Sequence, residues 1–184
     1  GVQTCALPIL VKIFQPIIQI LAAIPPNIFY PLIAAFIAIY HQDLGWWAIP
    51  MIMLGTQWYV LFNVIAGVSA IPTQITEVSE TFGLRRFRWW RYYMLPAIFP
   101  YIVTGIISAA GGAWNSAIAA EVIQWGSTTL SATGLGAFIS VVTDAGKNPE
   151  SALGCAAMCA LVALCIIFVW QPLYRIAETK FKYD

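Results

Sequence analysis

Apolar residues run along this chain in long blocks, and polar residues collect in a few places between them. Residues 10–24 are apolar, Pro25, Pro26 and Asn27 break the run, and residues 28–40 resume it for 13 positions. A helix needs about 20 apolar residues to cross a hydrocarbon core, so the two pieces together predict one broken crossing. Residues 48–69 are long enough to return, with Trp46 and Trp47 marking the boundary, and Gln57 and Asn63 inside the run should face other helices. After a polar interruption over residues 70–95, residues 97–123 predict a third crossing, in which Gly105, Gly111 and Gly112 allow helix backbones to approach closely. Residues 124–150 read as an outer region rich in Gly, Ser, Thr and Asn, with a short apolar piece over 135–142 lying along the surface. Residues 151–170 form the last crossing, ended by Pro172 and a basic tail.

Composition turns this pattern into a class. With 60% hydrophobic and 9% charged residues and a mean hydropathy of +0.79 over 184 residues, the chain cannot hide its apolar surface in one soluble core. It is a membrane protein. Seven of the nine Lys and Arg residues fall in two places: Arg85, Arg86, Arg88 and Arg91 in the central interruption, and Arg175, Lys180 and Lys182 at the end. Basic side chains resist translocation, so both places, and with them both ends of the chain, are expected on the cytoplasmic side. Trp89, Trp90, Tyr92 and Tyr93 interleave with the arginines, which points to anchoring at the lipid headgroups of the bilayer and not to nucleic acid. Cys5, Cys155, Cys159 and Cys165 show no CxxC spacing and read as small packing residues without a redox or metal role. Residues 1–9 read unlike the rest of the chain and resemble translated adapter sequence, so they are set aside as non-native. The remainder, 10–182, is expected to be part of a membrane domain whose upstream segments are missing.

The interruption itself has structure written into it. Pro72 suits the first turn of a helix, where its missing N–H would have been unpaired anyway. Ile75, Val78 and Phe82 recur at helical spacing on one face, Thr73, Glu77, Glu80 and Thr81 occupy the other, and Gly83 is a natural left-handed cap. The result is an amphipathic helix of about three turns, followed by a second helical piece leading to Leu95 and Pro96. Helices that merely lie on lipid carry Lys and Arg on the polar face, whereas Glu77 and Glu80 are acidic. The apolar face therefore calls for a partner.

Further along, Gly111, Gly112, Ala113, Trp114, Asn115 and Ser116 are expected to interrupt the third crossing near mid-depth. Broken backbone there is tolerated only beside protein or a water-filled cavity. A helix restarting at Ala113 would aim its positive end at an anionic solute, which makes the segment a pathway candidate, with close packing through glycine as the alternative. Glu121 is the acid of this apolar stretch and is expected to make a structural or gating hydrogen bond. His41 and Asp43 are too few to hold zinc and read as solvated loop residues. No phosphate-binding loop accompanies Lys147, and no Ser, His and acid set is evident, so the chain is not expected to be an enzyme.

Glu77, Gly83, Leu95 and Pro96 stand at the spacing of the E-A-A-x3-G-x9-I-x-L-P signature, with Val78 and Ser79 in place of the two alanines and Tyr93 in place of the isoleucine. On these residues the chain resembles ABC transporter permeases, the inner-membrane components of binding-protein-dependent transport systems. The surrounding text (Gln57-Trp58, Phe62-Asn63, Trp114-Asn115 and Ala119-Ala120-Glu121) is similar to the nitrate, sulfonate and taurine branch. The resemblance implies an all-α, polytopic transmembrane helical bundle of the MetI-like permease type, with a coupling loop over residues 70–95. It implies that Glu77, Val78, Ser79, Glu80, Phe82, Gly83, Leu95 and Pro96 couple the membrane domain to a separate ABC ATP-binding subunit, which holds ATP and Mg while this chain holds no cofactor. It also implies a second permease half and a periplasmic or extracellular solute-binding protein, on the side carrying Asp144, Lys147 and Glu150. Gln57, Asn63, Gly111, Gly112, Trp114, Asn115 and Glu121 are then the pathway candidates. The competing expectation is an ATP-independent secondary transporter or channel, which leaves the amphipathic helix without a task.

Overall fold

The computed structural model describes residues 14–126 and 128–181, and Glu80 without its side chain; the expectations on residues 1–9, Cys5 and Lys182 lie outside the described residues. Helix α1 (Phe14–Ala23) meets α2 (Pro26–Tyr40) at 66°. The bend follows from sequence: a residue before proline is pushed out of helical geometry, and Pro25 sits at φ −61° and ψ 125° ahead of Pro26. Helix α2 ends on His41 in the left-handed region, at φ 50°. Asp43 then caps α3 (Leu44–Ala70), its Oδ1 accepting from the Gly45 N–H at 2.9 Å. Both loop residues thus serve the turn between two helices.

Next come α4 (Thr73–Thr81) and α5 (Arg86–Ala120). An antiparallel hairpin follows, β1 (Val122–Trp125) and β2 (Thr128–Ser131), then α6 (Leu135–Asp144) and α7 (Asn148–Phe181). Among the described residues, three helices are long and apolar enough to cross a membrane, or four when the bent pair counts as one span. The protein is an all-α polytopic bundle with one small hairpin.

Two boundaries and the packing of two cysteines differ from the sequence-based expectation. The third crossing stops at Ala120, and Ile123 belongs to β1, where it is the buried residue of the strand, and Gly126 opens a two-residue connection at φ 60°. Pro172 does not end the last helix, which continues to Phe181. A wide turn over Ile166–Trp170, in which the Gln171 N–H reaches back five residues to the Ile166 carbonyl, comes immediately before it. The same device precedes Pro96: residues Trp90–Met94 form a wide turn and the Leu95 N–H donates to the Trp90 carbonyl. A proline ring clashes with the carbonyl four residues back in a regular helix, and the extra residue of a π-turn moves that carbonyl away. Finally, Cys155 and Cys159 lie exposed on α7, so they are not packed within this chain as expected.

The most extensive contact is between α3 and α5. It is built around Gly105, where a Cβ would stand 2.9 Å from Val60 Cα and 3.3 Å from the Tyr59 carbonyl oxygen. Such an approach needs a residue without a side chain, as expected where lipid gives helices no hydrophobic push together. Two apolar clusters close the ends of this pair. Tyr30, Ile37, Leu44, Met51, Ala120 and Ile123 gather at one end. Tyr93, Met94 and Ile98 gather at the other, beside the arginines, with Val68, Ile71 and Ile75 against them.

Candidate functional site

The arginine-bearing end carries the first candidate site. Helix α4 starts on Pro72, whose carbonyl accepts from the N–H groups of Ile75 and Thr76. Its inner side is fixed to the foot of α5. Ile75 packs into the Tyr93 cluster, the Thr76 hydroxyl lies 2.6 Å from the Tyr93 hydroxyl, and Ser79 is only 3% exposed. The buried Ser79 hydroxyl donates to the Thr76 carbonyl at 2.7 Å, so it is not left unsatisfied. At the far end Gly83 takes φ 64°, and the Leu84 N–H donates to the Ser79 carbonyl at 3.2 Å, the long backbone bond of a Schellman cap. Leu84 completes that cap by packing back into the same cluster.

Outward from this seat stand Glu77, Val78 and Phe82, with Val78 53% and Phe82 78% exposed. The expected single apolar face of Ile75, Val78 and Phe82 is therefore split. The buried line is centred between Ile75 and Ser79, Val78 falls on its flank, and Phe82 lies past the last helical residue, where the glycine turn carries it clear. Glu80 lies within α4, its side chain outside the described part. Leu95, exposed, and Pro96, half-buried, lie where the wide turn of α5 gives way to regular helix. Arg85, Arg86, Arg88 and Arg91 are exposed beside Phe87, which is itself 78% exposed.

The second candidate set lies along the spans. Gly111 and Gly112 do not break α5, which is helical without interruption from Leu95 to Ala120. The glycine text serves packing: a Cβ at Gly112 would stand 2.9 Å from Tyr59 Cε2, whereas Gly111 faces open space. Asn63 faces α5 as expected, its Cβ 3.1 Å from where a Gly105 Cβ would be, and its amide donates to the Tyr59 carbonyl at 2.8 Å. Gln57 is exposed on the wall of a groove of about 420 Å³, which it lines with Thr56 and Val60 of α3 and Ala109 of α5. Trp114 is half-buried, and Asn115 is exposed.

Asn115 shares a face with Thr104, Ser108 and Gly111, at intervals of four, three and four residues. The sequence reading missed Thr104 and Ser108, although that spacing was available to it. Their hydroxyls donate to the Pro100 and Thr104 carbonyls at 3.0 Å, which lets them sit on a membrane helix without bare donors. At the arginine-bearing end the stripe opens into a cleft of about 350 Å³ lined by Tyr101, Thr104, Tyr174, Glu178 and Phe181.

Glu121 closes the opposite end. Its Oε2 accepts from the Ala137 N–H in the first turn of α6 at 2.8 Å, and its carbonyl accepts from the Ala132 N–H at 2.8 Å. One residue thus ties α5, the hairpin and α6 together. The residue preceding α6, Gly134, has no side chain to cap it, and the carboxylate supplies both an acceptor and a negative charge at a helix N-terminus. Replacing Glu121 by Ala should loosen this corner by about 1–3 kcal/mol, while Gln, which keeps an acceptor oxygen, should lose less. Hydrogen exchange at the Ala137 amide reads the difference directly: fast in the Ala variant, slow in the Gln variant. Among the described residues no three His, Cys, Asp or Glu side chains gather as metal ligands would.

The chain spans about half the length of the curated relatives it matches. It is 33% identical over 137 residues to the nitrate import permease protein NrtB of Leptolyngbya laminosa, covering 74% of this chain and 45% of that protein. It is 31% identical over 139 residues to the bicarbonate transport system permease protein CmpB of a Synechocystis strain, covering 76% and 46%. To the taurine transport system permease protein TauC of Escherichia coli it is 26% identical over 123 residues, covering 67% and 43%. The profile of binding-protein-dependent transport system inner membrane components matches residues 7–183. By that match across nearly its whole length, and by a helical bundle that agrees with it, the chain belongs to the family of binding-protein-dependent transport system inner membrane components, a family of transport permease components and not of enzymes.

Proposed function

We propose that this chain is the membrane half of an ATP-driven importer for a small anion, coupled through α4 to a separate ATP-binding subunit on the cytoplasmic side. The observation that carries the reading is the split of α4: Ile75, Thr76 and Ser79 are fixed to the foot of α5, while Glu77, Val78 and Phe82 are presented outward. A helix held this way is a rigid lever with a free apolar grip. Its position beside four exposed arginines supports a cytoplasmic location, and both ends of the chain then lie on that side. ATP and Mg belong to the partner. A second permease half and a solute-binding protein complete the assembly, the latter at the side of the hairpin and α6.

The transported solute is a small anion of the nitrate, bicarbonate or taurine kind, the reading supported by what the similar proteins are named for. On the polar stripe the Asn115 amide can replace part of the hydration of such an anion, the Thr104 and Ser108 hydroxyls can join it by turning from the backbone carbonyls they now bond, and Gly111 leaves the backbone uncovered at its centre. Rocking of one half against the other around this face would give alternating access.

Affinity purification from membranes through a tag on this chain should bring down an ATP-binding subunit, and reconstituted vesicles should take up nitrate, bicarbonate or taurine only with hydrolysable ATP. Uptake that tracks an ion gradient and ignores ATP would refute the reading. Phe82→Asp should reduce recovery of the subunit about tenfold or more, since a buried aromatic side chain contributes roughly 1.5–3 kcal/mol.

A further inference from the structure

We infer that the hydrogen bond between Thr76 and Tyr93 is the joint through which movement of α4 reaches α5, and that Tyr93 is a positioning residue for transport. The inference rests on the proposed coupling role of α4 and names where in the chain the force enters. Four observations carry it. The hydroxyl–hydroxyl distance of 2.6 Å is the only side chain to side chain hydrogen bond from α4 to α5 among the described residues. Tyr93 is buried, 6% exposed, and its ring packs against Trp89 with centroids 5.3 Å apart and planes tilted by 54°, so the phenol is held from behind. It lies inside the wide turn Trp90–Met94, whose extra residue shifts the register of everything before it by about 100° relative to the rest of the span. And Tyr93 stands where the signature has isoleucine, which can pack but cannot bond, so the residue present here adds a hydrogen bond to the contact.

Stiffness is what the bond adds. Apolar contacts between Ile75 and its neighbours resist separation but let one helix slide along another, because they are not directional. A short hydrogen bond between two hydroxyls fixes distance and angle together. Tyr93 is the buried partner, so losing Thr76 leaves its phenol without this bond in a part-buried place, whereas the Thr76 hydroxyl keeps the Pro72 carbonyl at 3.5 Å. With the bond in place, a tilt of α4 turns the foot of α5; without it, part of the tilt is lost as slip.

The test compares Tyr93→Phe with Thr76→Val and Thr76→Ser in the full complex, purified through this chain and reconstituted in vesicles. Two quantities are read: ATP hydrolysed, and uptake of whichever of nitrate, bicarbonate and taurine the unaltered complex moves. Tyr93→Phe and Thr76→Val should each keep the ATP-binding subunit and its hydrolysis near normal and lower uptake per ATP about fivefold, the size expected for one hydrogen bond. The double variant should lose no more than either single one, since the same bond is removed once. Thr76→Ser, which keeps the hydroxyl, should couple normally. Normal uptake per ATP in Tyr93→Phe, or a double variant in which the two losses multiply, would overturn the inference. Release of the subunit by Tyr93→Phe would overturn it too, because the residue would then act on docking. Failure of the unaltered chain to bring down any ATP-binding subunit would instead strike the proposed function itself.

Discussion

Gly83→Val should leave the protein in the membrane at its normal level and lower uptake about thirtyfold. The substitution meets no steric obstacle, since nothing stands within 4 Å of where its Cβ would go. Its effect is conformational: Gly83 sits at φ 64°, a region that costs an L-residue roughly 1–2 kcal/mol and a β-branched one at the upper end of that range. The turn that relieves this cost gives up the bond from the Leu84 N–H to the Ser79 carbonyl, worth about 1 kcal/mol, and pulls Leu84 from its cluster. Together these amount to about 2 kcal/mol, or a factor of about thirty in the population of correctly closed α4. Gly83→Asn should be milder, because asparagine visits the left-handed region more readily. Uptake in vesicles beside an immunoblot of the same membranes separates coupling from expression. Equal uptake by the Val variant would show that the cap does not set the lever.

Gly105→Leu should destabilise the bundle, and Gly111→Leu, six positions along the same helix, should not. At Gly105 the added carbon meets Val60 Cα at 2.9 Å and the Tyr59 carbonyl oxygen at 3.3 Å, and backbone cannot swing aside as a side chain can. The helices must separate, at a cost of about 3 kcal/mol, as overpacking of a tight contact commonly requires. Gly111 has nothing within 4 Å, so there the change stays within about 0.5 kcal/mol. In detergent, the Gly105 variant should melt roughly 10 °C below the unaltered protein and the Gly111 variant within about 2 °C of it. Gly111→Leu should nonetheless slow uptake, because it places a large apolar side chain on the stripe that carries Thr104, Ser108 and Asn115. That combination, normal stability with lost transport, distinguishes a pathway face from a packing face.

The helices were legible because lipid imposes a simple rule: about 20 apolar residues cross, and polar text marks the ends. Pro72 and Gly83 bounded α4 correctly for the same kind of reason, each residue having one backbone conformation it serves best. What the sequence did not reveal depends on neighbours. Ile75, Val78 and Phe82 share an apolar character, and only the seat against Tyr93 decides which turns inward. Gly111 and Gly112 looked like a break, yet a glycine pair in a membrane helix stays helical when the surroundings leave its backbone no better hydrogen bonds, and one of the two serves to admit Tyr59. Pro172 looked like a stop because a π-turn has no strong sequence pattern of its own. The hairpin offered a faint signal, the turn residue Gly126 after Val122 to Trp125, hidden at the end of an apolar run that read more simply as helix. Glu121 was singled out as an acid in apolar surroundings; its partner, a backbone N–H sixteen residues on, could be found only in the fold.

The central claim is that the outward face of α4 grips an ATP-driven subunit. A photoreactive phenylalanine analogue placed at position 82 and activated in intact membranes puts this to the test, since the native side chain there is aromatic and exposed. The account predicts one dominant adduct, heavier by a single polypeptide that mass spectrometry identifies as an ATP-binding subunit, with a yield that changes when non-hydrolysable ATP is added. Adducts with lipid alone, or a protein adduct from position 82 that contains no ATP-binding subunit, would contradict it.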